Sequence, residues 1–347
     1  MASKSAKLWT PGLVLNFVIL MLLSGVSFAW TYYLSLEPLV RGGFARFLQL
    51  LGEFNITSII WWRDFLDVAF DLLIAALFVV AFIWVWGNFA VSMHEFRKWR
   101  KVKPKATVER FNIWQRIQHV WVIVTFAICA FTGYVMYFGN NPYWQFLYVS
   151  RELYVTIHVI SGVLLGIVIA YHFFHYSVRG LIALYRRELL KSLPIVGLFT
   201  LSMIKESIRN FLYFVTPKVG KPRYHKYDFE QYFEYWGVYW GVAVLGIPGA
   251  VMAIWGPSVL SGLFWVTHVK EAALAVLWII FTHFGSTHFA PKNFPLDDTF
   301  ITGKMPVERV KEEHPLWYEE LVKEGKIKPV FESSGSSSSP LTGGESS

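Results

Sequence analysis

Six apolar runs recur along the chain, at 9–33, 65–91, 113–138, 152–178, 232–255 and 264–288. Each exceeds the roughly 20 residues that a helix needs to cross the hydrocarbon layer of a bilayer. In that layer a single segment satisfies its own backbone N–H and C=O groups by becoming a helix, so the runs predict an all-α membrane protein with about six transmembrane helices. Composition agrees: 54% of the 347 residues are hydrophobic and only 16% are charged, against about 25% charged in soluble domains. The formal charge of +8 does not imply nucleic acid, because Lys and Arg sit in the loops between spans. The basic stretches 1–7, 94–116 and 179–226 fall on one side of the six-span topology, which the positive-inside rule makes cytoplasmic, together with both termini.

The remaining segments follow from this frame. The first run is longer than a signal peptide and lacks a clear small-residue cleavage site, so it is expected to stay as an anchor. Residues 35–63 are expected to form an outer loop, with a surface helix among its aromatics. Asp64, Asp67 and Asp71 form an acidic face at the start of the second span, either a solvated helix end or a contact for a partner subunit. The segment 194–215 is apolar but interrupted by Lys205, Glu206 and Arg209, as in an amphipathic interfacial helix. The organisation expected is two N-terminal spans in 1–100, a four-helix unit in 101–290, a cytoplasmic segment in 291–330, and a disordered Ser/Gly tail in 331–347.

The last span carries two histidines, His268 and His283. They are about 22 Å and about 60° apart along an ideal helix, so both can point to one side. Histidine within a span is costly and needs a reason. Sorted by depth, His158 and His268 form an outer layer, and His119, His172, His175 and His283 an inner one. Two neutral imidazoles facing across a bundle can hold a b-type haem without covalent attachment, and two layers suggest two stacked haems. The single cysteine, Cys129, permits neither an iron–sulfur cluster nor covalent haem attachment. A proton relay would need ionisable groups at intermediate depth, and only Lys270 and Glu271, both near the outer layer, are candidates. Zinc or copper would need ligands gathered at one depth. Interhelical hydrogen bonding by the histidines is the remaining alternative. Gly162 and Gly166, four and eight residues after His158, offer a gap beside a ligand, though the same spacing serves close helix packing.

The segments ERFNIWQRIQHVWVIVTFAICAFTG, IHVISG, KYDFEQ before an apolar span, the paired histidines of the sixth span and EEHPLWYEE occur in an order and spacing that resembles the cytochrome b (gamma) subunit of respiratory formate dehydrogenase N and its thiosulfate-reductase-type relatives. The resemblance covers roughly 107–325 and leaves out the two N-terminal spans and the tail. It implies a four-helix di-haem bundle with His158 and His268 on the outer haem iron and His119 and His283 on the inner one. A different pairing, His172 with His283, resembles the two-helix arrangement of the quinol-oxidising cytochrome b, because His158 and His172 are fourteen apart. The resemblance to the gamma subunit also implies a prokaryotic cell (inner) membrane location. The partners implied are an iron–sulfur subunit and a molybdopterin-type catalytic subunit at the outer face, with menaquinone or another quinone as substrate near the inner face.

Two features depart from the family. Its ligands in the last span are fourteen apart, whereas His268 and His283 are fifteen apart, which turns the inner ring by about 100° unless the helix is overwound or kinked. Its quinone-lining Lys-Tyr-Asn-x-Gly-Gln reads here Lys226, Tyr227, Asp228, Phe229, Glu230, Gln231. Asp228 and the neighbouring His225 are the candidate quinone-site residues; Asp228 serves either quinone protons, if it is neutral near pH 7, or the helix N-terminus as a cap. Arg110, Arg116 and Arg179, with Lys270 and Glu271, are candidates for haem propionate contacts or for ordinary interfacial placement. Two further functions compete with quinone reduction: quinol oxidation feeding an external reductase, and a membrane anchor without redox activity.

Overall fold

The computed structural model describes residues 11–99, 106–142, 145–186, 201–290, 293 and 296–329. The basic start at 1–7, the first part of the 194–215 segment and the Ser/Gly tail lie outside them. Among the described residues six helices, Pro11–Gly52, Ile59–Ala90, Ile113–Tyr137, Arg151–Ala183, Phe229–Trp255 and Val259–His288, are long and apolar enough to cross a membrane.

The first two are longer than the sequence reading expected. Helix α1 (Pro11–Thr31) runs through two π-helical turns, Tyr32–Leu36 and Leu39–Gly43, into α2 (Phe44–Gly52). Much of the expected 35–63 loop is therefore helix, and the chain bends at Gly42, whose φ of 129° is open to a residue without Cβ. Helix α3 (Ile59–Trp99) follows. Two hairpins follow. The first pairs α4 (Ile113–Tyr137) with α5 (Arg151–Tyr185). The short α6 (Leu201–Val215) leads to the second, in which α7 (Phe229–Trp255) packs on α8 (Leu263–Leu277) and its π-helical continuation Trp278–His288. The hairpins meet through a shorter seam between α5 and α7, where Leu165, Val168 and Ile169 pack with Val238, Tyr239 and Val242.

The N-terminal helices pack on the outside of the second hairpin. Leu20, Ile74, Ala81, Val85 and Phe89 join Ala273, Leu277 and Phe281 in one buried cluster. Lipid is as apolar as these side chains, so close packing and polar contacts hold such helices together. A Cβ at Gly285 would meet Val85 Cγ1 at 2.9 Å, so glycine permits the π segment to approach α3. Trp30 Nε1 donates to the Ala273 carbonyl at 3.1 Å, and Trp86 Nε1 to Ser24 Oγ at 3.1 Å. The acidic face of α3 is answered within the chain: Lys270 Nζ lies 2.5 Å from Asp71 Oδ1 and 3.1 Å from Asp67 Oδ1, while Asp64 pairs with Arg46 and Arg63.

At the opposite end of the bundle the chain folds back as a small polar cover. Strands β1 (Thr107–Glu109) and β2 (Lys304–Pro306) pair antiparallel, next to α9 (Thr299–Thr302), α10 (Val307–Glu313) and α11 (Pro315–Lys323). Met305, Val310, Trp317 and Leu321 form its core. Arg309 bridges Asp297 at 2.8 Å and Glu313 at 3.0 Å, and its guanidinium holds the Asp297 carboxyl below the ordinary carboxylate range against the opposing effect of burial.

Candidate functional site: two facing histidine pairs

His158 on α5 and His268 on α8 face each other with ring centroids 5.9 Å apart, and His119 on α4 and the π-segment His283 face each other at 6.4 Å. Each pair thus joins the two hairpins across the bundle. The fifteen-residue spacing is accommodated by widening. Trp278–His288 is π-helical, and a π turn absorbs one residue more than an α turn, so the last span is neither overwound nor sharply kinked as the sequence reading supposed.

Hydrogen bonds select the form of three rings. Thr132 Oγ1 donates to the Ile128 carbonyl at 2.7 Å, so it accepts from His158 Nδ1 at 2.9 Å. His268 Nδ1 donates to the Leu245 carbonyl at 2.8 Å, and His283 Nδ1 to Glu234 Oε2 at 2.9 Å. A ring that donates through Nδ1 keeps the Nε2 lone pair for a metal, and its orientation is set by the acceptor. The fourth ring, His119, has a buried Nδ1 without a partner. Glycines make room for the first pair: a Cβ at Gly133 would stand 3.3 Å from His158 Cε1, and one at Gly249 3.2 Å from His268 Cε1. Gly162 and Gly166 have no atom within 4 Å of an added Cβ, so they border open space along α5.

These residues fit haem iron. Two imidazoles sharing one metal, each about 2 Å from it, place their centroids about 6 Å apart. Among the described residues no group of three or more His, Cys, Asp or Glu is placed to hold a metal ion.

His172 belongs to neither pair. It hydrogen-bonds Gln118 and packs on Tyr176 and Tyr235, with ring centroids 4.5 and 5.6 Å away. His175 stacks on Tyr171. Sequence reading missed His288, whose Nε2 is 3.2 Å from that of His283, and Glu234; it took Glu230, with Asp228, for a cap of the fifth span, whereas Glu230 accepts from Trp84 Nε1 at 3.2 Å and from Ser286 Oγ. Glu230 and Glu234 are four residues apart, which puts both on one face of α7, but an acid near a helix start also reads as ordinary capping. That ambiguity concealed them.

Asp228 is the N-cap of α7, accepting from Gln231 N at 2.9 Å within a reciprocal capping box. His225 Nδ1 lies 2.8 Å from Glu320 Oε1, and its carbonyl accepts from His314 Nδ1 at 2.8 Å. Beside this segment, where α4 and α5 reach the cover, is a cleft of about 260 Å³ whose lining includes Glu109, Arg110, Gln115, Tyr176, Arg179 and Lys226.

Neither a protein-family model nor a curated protein matches this chain.

Proposed function

We propose that the chain is a membrane-anchoring electron-transfer subunit that carries two b-type haems, one at His158 and His268 and one at His119 and His283. It passes electrons between an iron–sulfur partner at the outer face and a quinone, such as menaquinone, near the cytoplasmic face. The observation that carries this reading is the pair of facing imidazole sets, three of whose rings are oriented by Nδ1 hydrogen bonds. Bound there, the haems supply one-electron carriers at two depths of an otherwise insulating layer.

The chain's own part is to orient ligands and tune their basicity. Thr132 and the Leu245 carbonyl are neutral acceptors, whereas Glu234 is a carboxylate. His283 is therefore the stronger electron donor to a metal, and the two sites are electrically unequal by construction. The apolar cluster of the N-terminal helices backs the span that carries His268 and His283 and keeps water from one side of it. Asp228 caps α7, and the His225 ring lies beside Glu320 with its Nδ1 in no hydrogen bond of good geometry; quinone and the molybdopterin-type catalytic partner are proposed on the motif resemblance.

Difference spectra of the purified chain provide the test. Dithionite reduction should bring up b-type absorption bands, and His158→Ala and His119→Ala should each remove one haem. Retention of both haems by either variant would refute the ligand assignment.

A further inference from the structure

The cleft beside α4 and α5 carries more cations than carboxylates in its described lining, with Asp228 and Glu313 acting on Arg110 from outside that lining. Among the described residues its lining carries Arg110, Arg179 and Lys226 against the single carboxylate Glu109, a surplus of two positive charges. Arg110 is only 5% exposed. Its terminal nitrogens meet the neutral acceptors Gln231 Oε1 at 2.7 Å, the Lys226 carbonyl at 3.2 Å and Met305 S at 3.0 Å, and its buried Nε has no partner. Lys226 Nζ stands over the rings of Tyr227 and Trp317 at 5.6 and 5.8 Å and makes no ion pair with a described carboxylate. Among the described residues Arg179 reaches only His175 Nε2, at 3.5 Å. Burying a guanidinium and an ammonium side by side is costly without an anion.

The surroundings indicate where that anion comes from. The cleft opens where α4 and α5 reach the end of their spans, and Trp114, Phe174 and Val178, on the adjoining turns of these helices, are 69%, 64% and 53% exposed. An anion that arrives with acyl chains can use both surfaces. A quinone headgroup is neutral and has no use for the surplus charge. Basic pockets between spans on the cytoplasmic side are favourable sites for anionic lipid headgroups, and planar guanidinium forks match phosphate oxygens.

We propose that this cleft holds the phosphate of one anionic phospholipid, with the acyl chains lying along the exposed apolar flank of α4 and α5. The lipid site does not need haem to be bound, but it does require that these cations are not partners of porphyrin carboxylates.

Native mass spectrometry of the full chain tests it, after exchange into mixed micelles of phosphatidylglycerol and phosphatidylcholine. One phosphatidylglycerol should stay bound per chain and phosphatidylcholine should not. Lys226→Gln and Arg179→Gln should each weaken retention roughly fivefold, the effect of one basic residue near an anionic surface. Arg179 is exposed, so its variant reports on binding even where the Lys226 change disturbs folding. Equal retention by wild type and both variants, or equal retention of phosphatidylcholine, would overturn the proposal. So would displacement of the lipid by millimolar inorganic phosphate, which would make the ligand a free anion. Loss of haem from the variants in the same samples would overturn it too, by assigning the cations to porphyrin carboxylates.

Discussion

Three acceptors of different kinds, a hydroxyl, a backbone carbonyl and a carboxylate, hold the Nδ1 side of His158, His268 and His283. None of the three was legible in the sequence, because each depends on which residue of another helix comes opposite. The histidines themselves were legible, since imidazoles are rare in apolar spans and their depth follows from counting residues. Replacing Glu234 with Gln keeps an acceptor at Nδ1 but removes its charge. The haem at His119 and His283 should then show a higher midpoint potential and about 10- to 100-fold weaker binding, checked by redox titration of the absorption bands; an unchanged potential would contradict the assignment. Gly249→Val places a branched side chain where a Cβ alone would be 3.2 Å from His268 Cε1, so haem content should fall from two to one. Lys226 carries a pH signature of its own. Burial, then nearby Arg110, lowers its pKa from 10.5 to about 8, with Lys326 acting in the same direction and Glu109 opposing. A base whose folded pKa is lowered costs stability while charged, so lipid-free protein should gain stability as pH rises from about 8 towards 10.5. Lys226→Met should abolish that gain in thermal unfolding followed by tryptophan fluorescence.

The helix ends and irregular turns were where sequence reading and structure parted. Gly42, Gly43 and a cluster of aromatics between 35 and 63 suggested a loop, yet the chain stays helical to Gly52 because π turns and a single positive φ at Gly42 bend it without ending it. The π segment Trp278–His288 was equally hidden: apolar periodicity does not distinguish a π turn from an α turn, although the fifteen-residue ligand spacing raised the question. This element yields a sharp prediction. Deleting Ile280 should let the segment revert to α-helix with His283 still facing His119, so two haems remain. Inserting one alanine after Ile280 should turn His283 away and cost the haem at that pair. In the polar cover, Arg309 is mostly buried between Asp297 and Glu313. Removing it as Arg309→Met takes the guanidinium away from two buried carboxylates and should destabilise the cover by about 3–5 kcal/mol, seen as faster amide exchange in 296–329.

For the whole molecule, the fold class and the order of spans follow from the lengths of the apolar runs alone, whereas the packing of α1 and α3 against the π segment follows from contacts such as Gly285 against Val85 that no pattern announces. The architecture sets two hairpins face to face, with one histidine from each hairpin in each pair. A non-redox anchor has no need of two such pairs at two depths, three of whose rings are held at Nδ1. Iron porphyrin is therefore the decisive analyte. A pyridine haemochrome assay on the purified full-length chain, set against its protein concentration, should return two protohaems per polypeptide; a preparation that is folded, by retained helical circular dichroism, and contains no haem would contradict it.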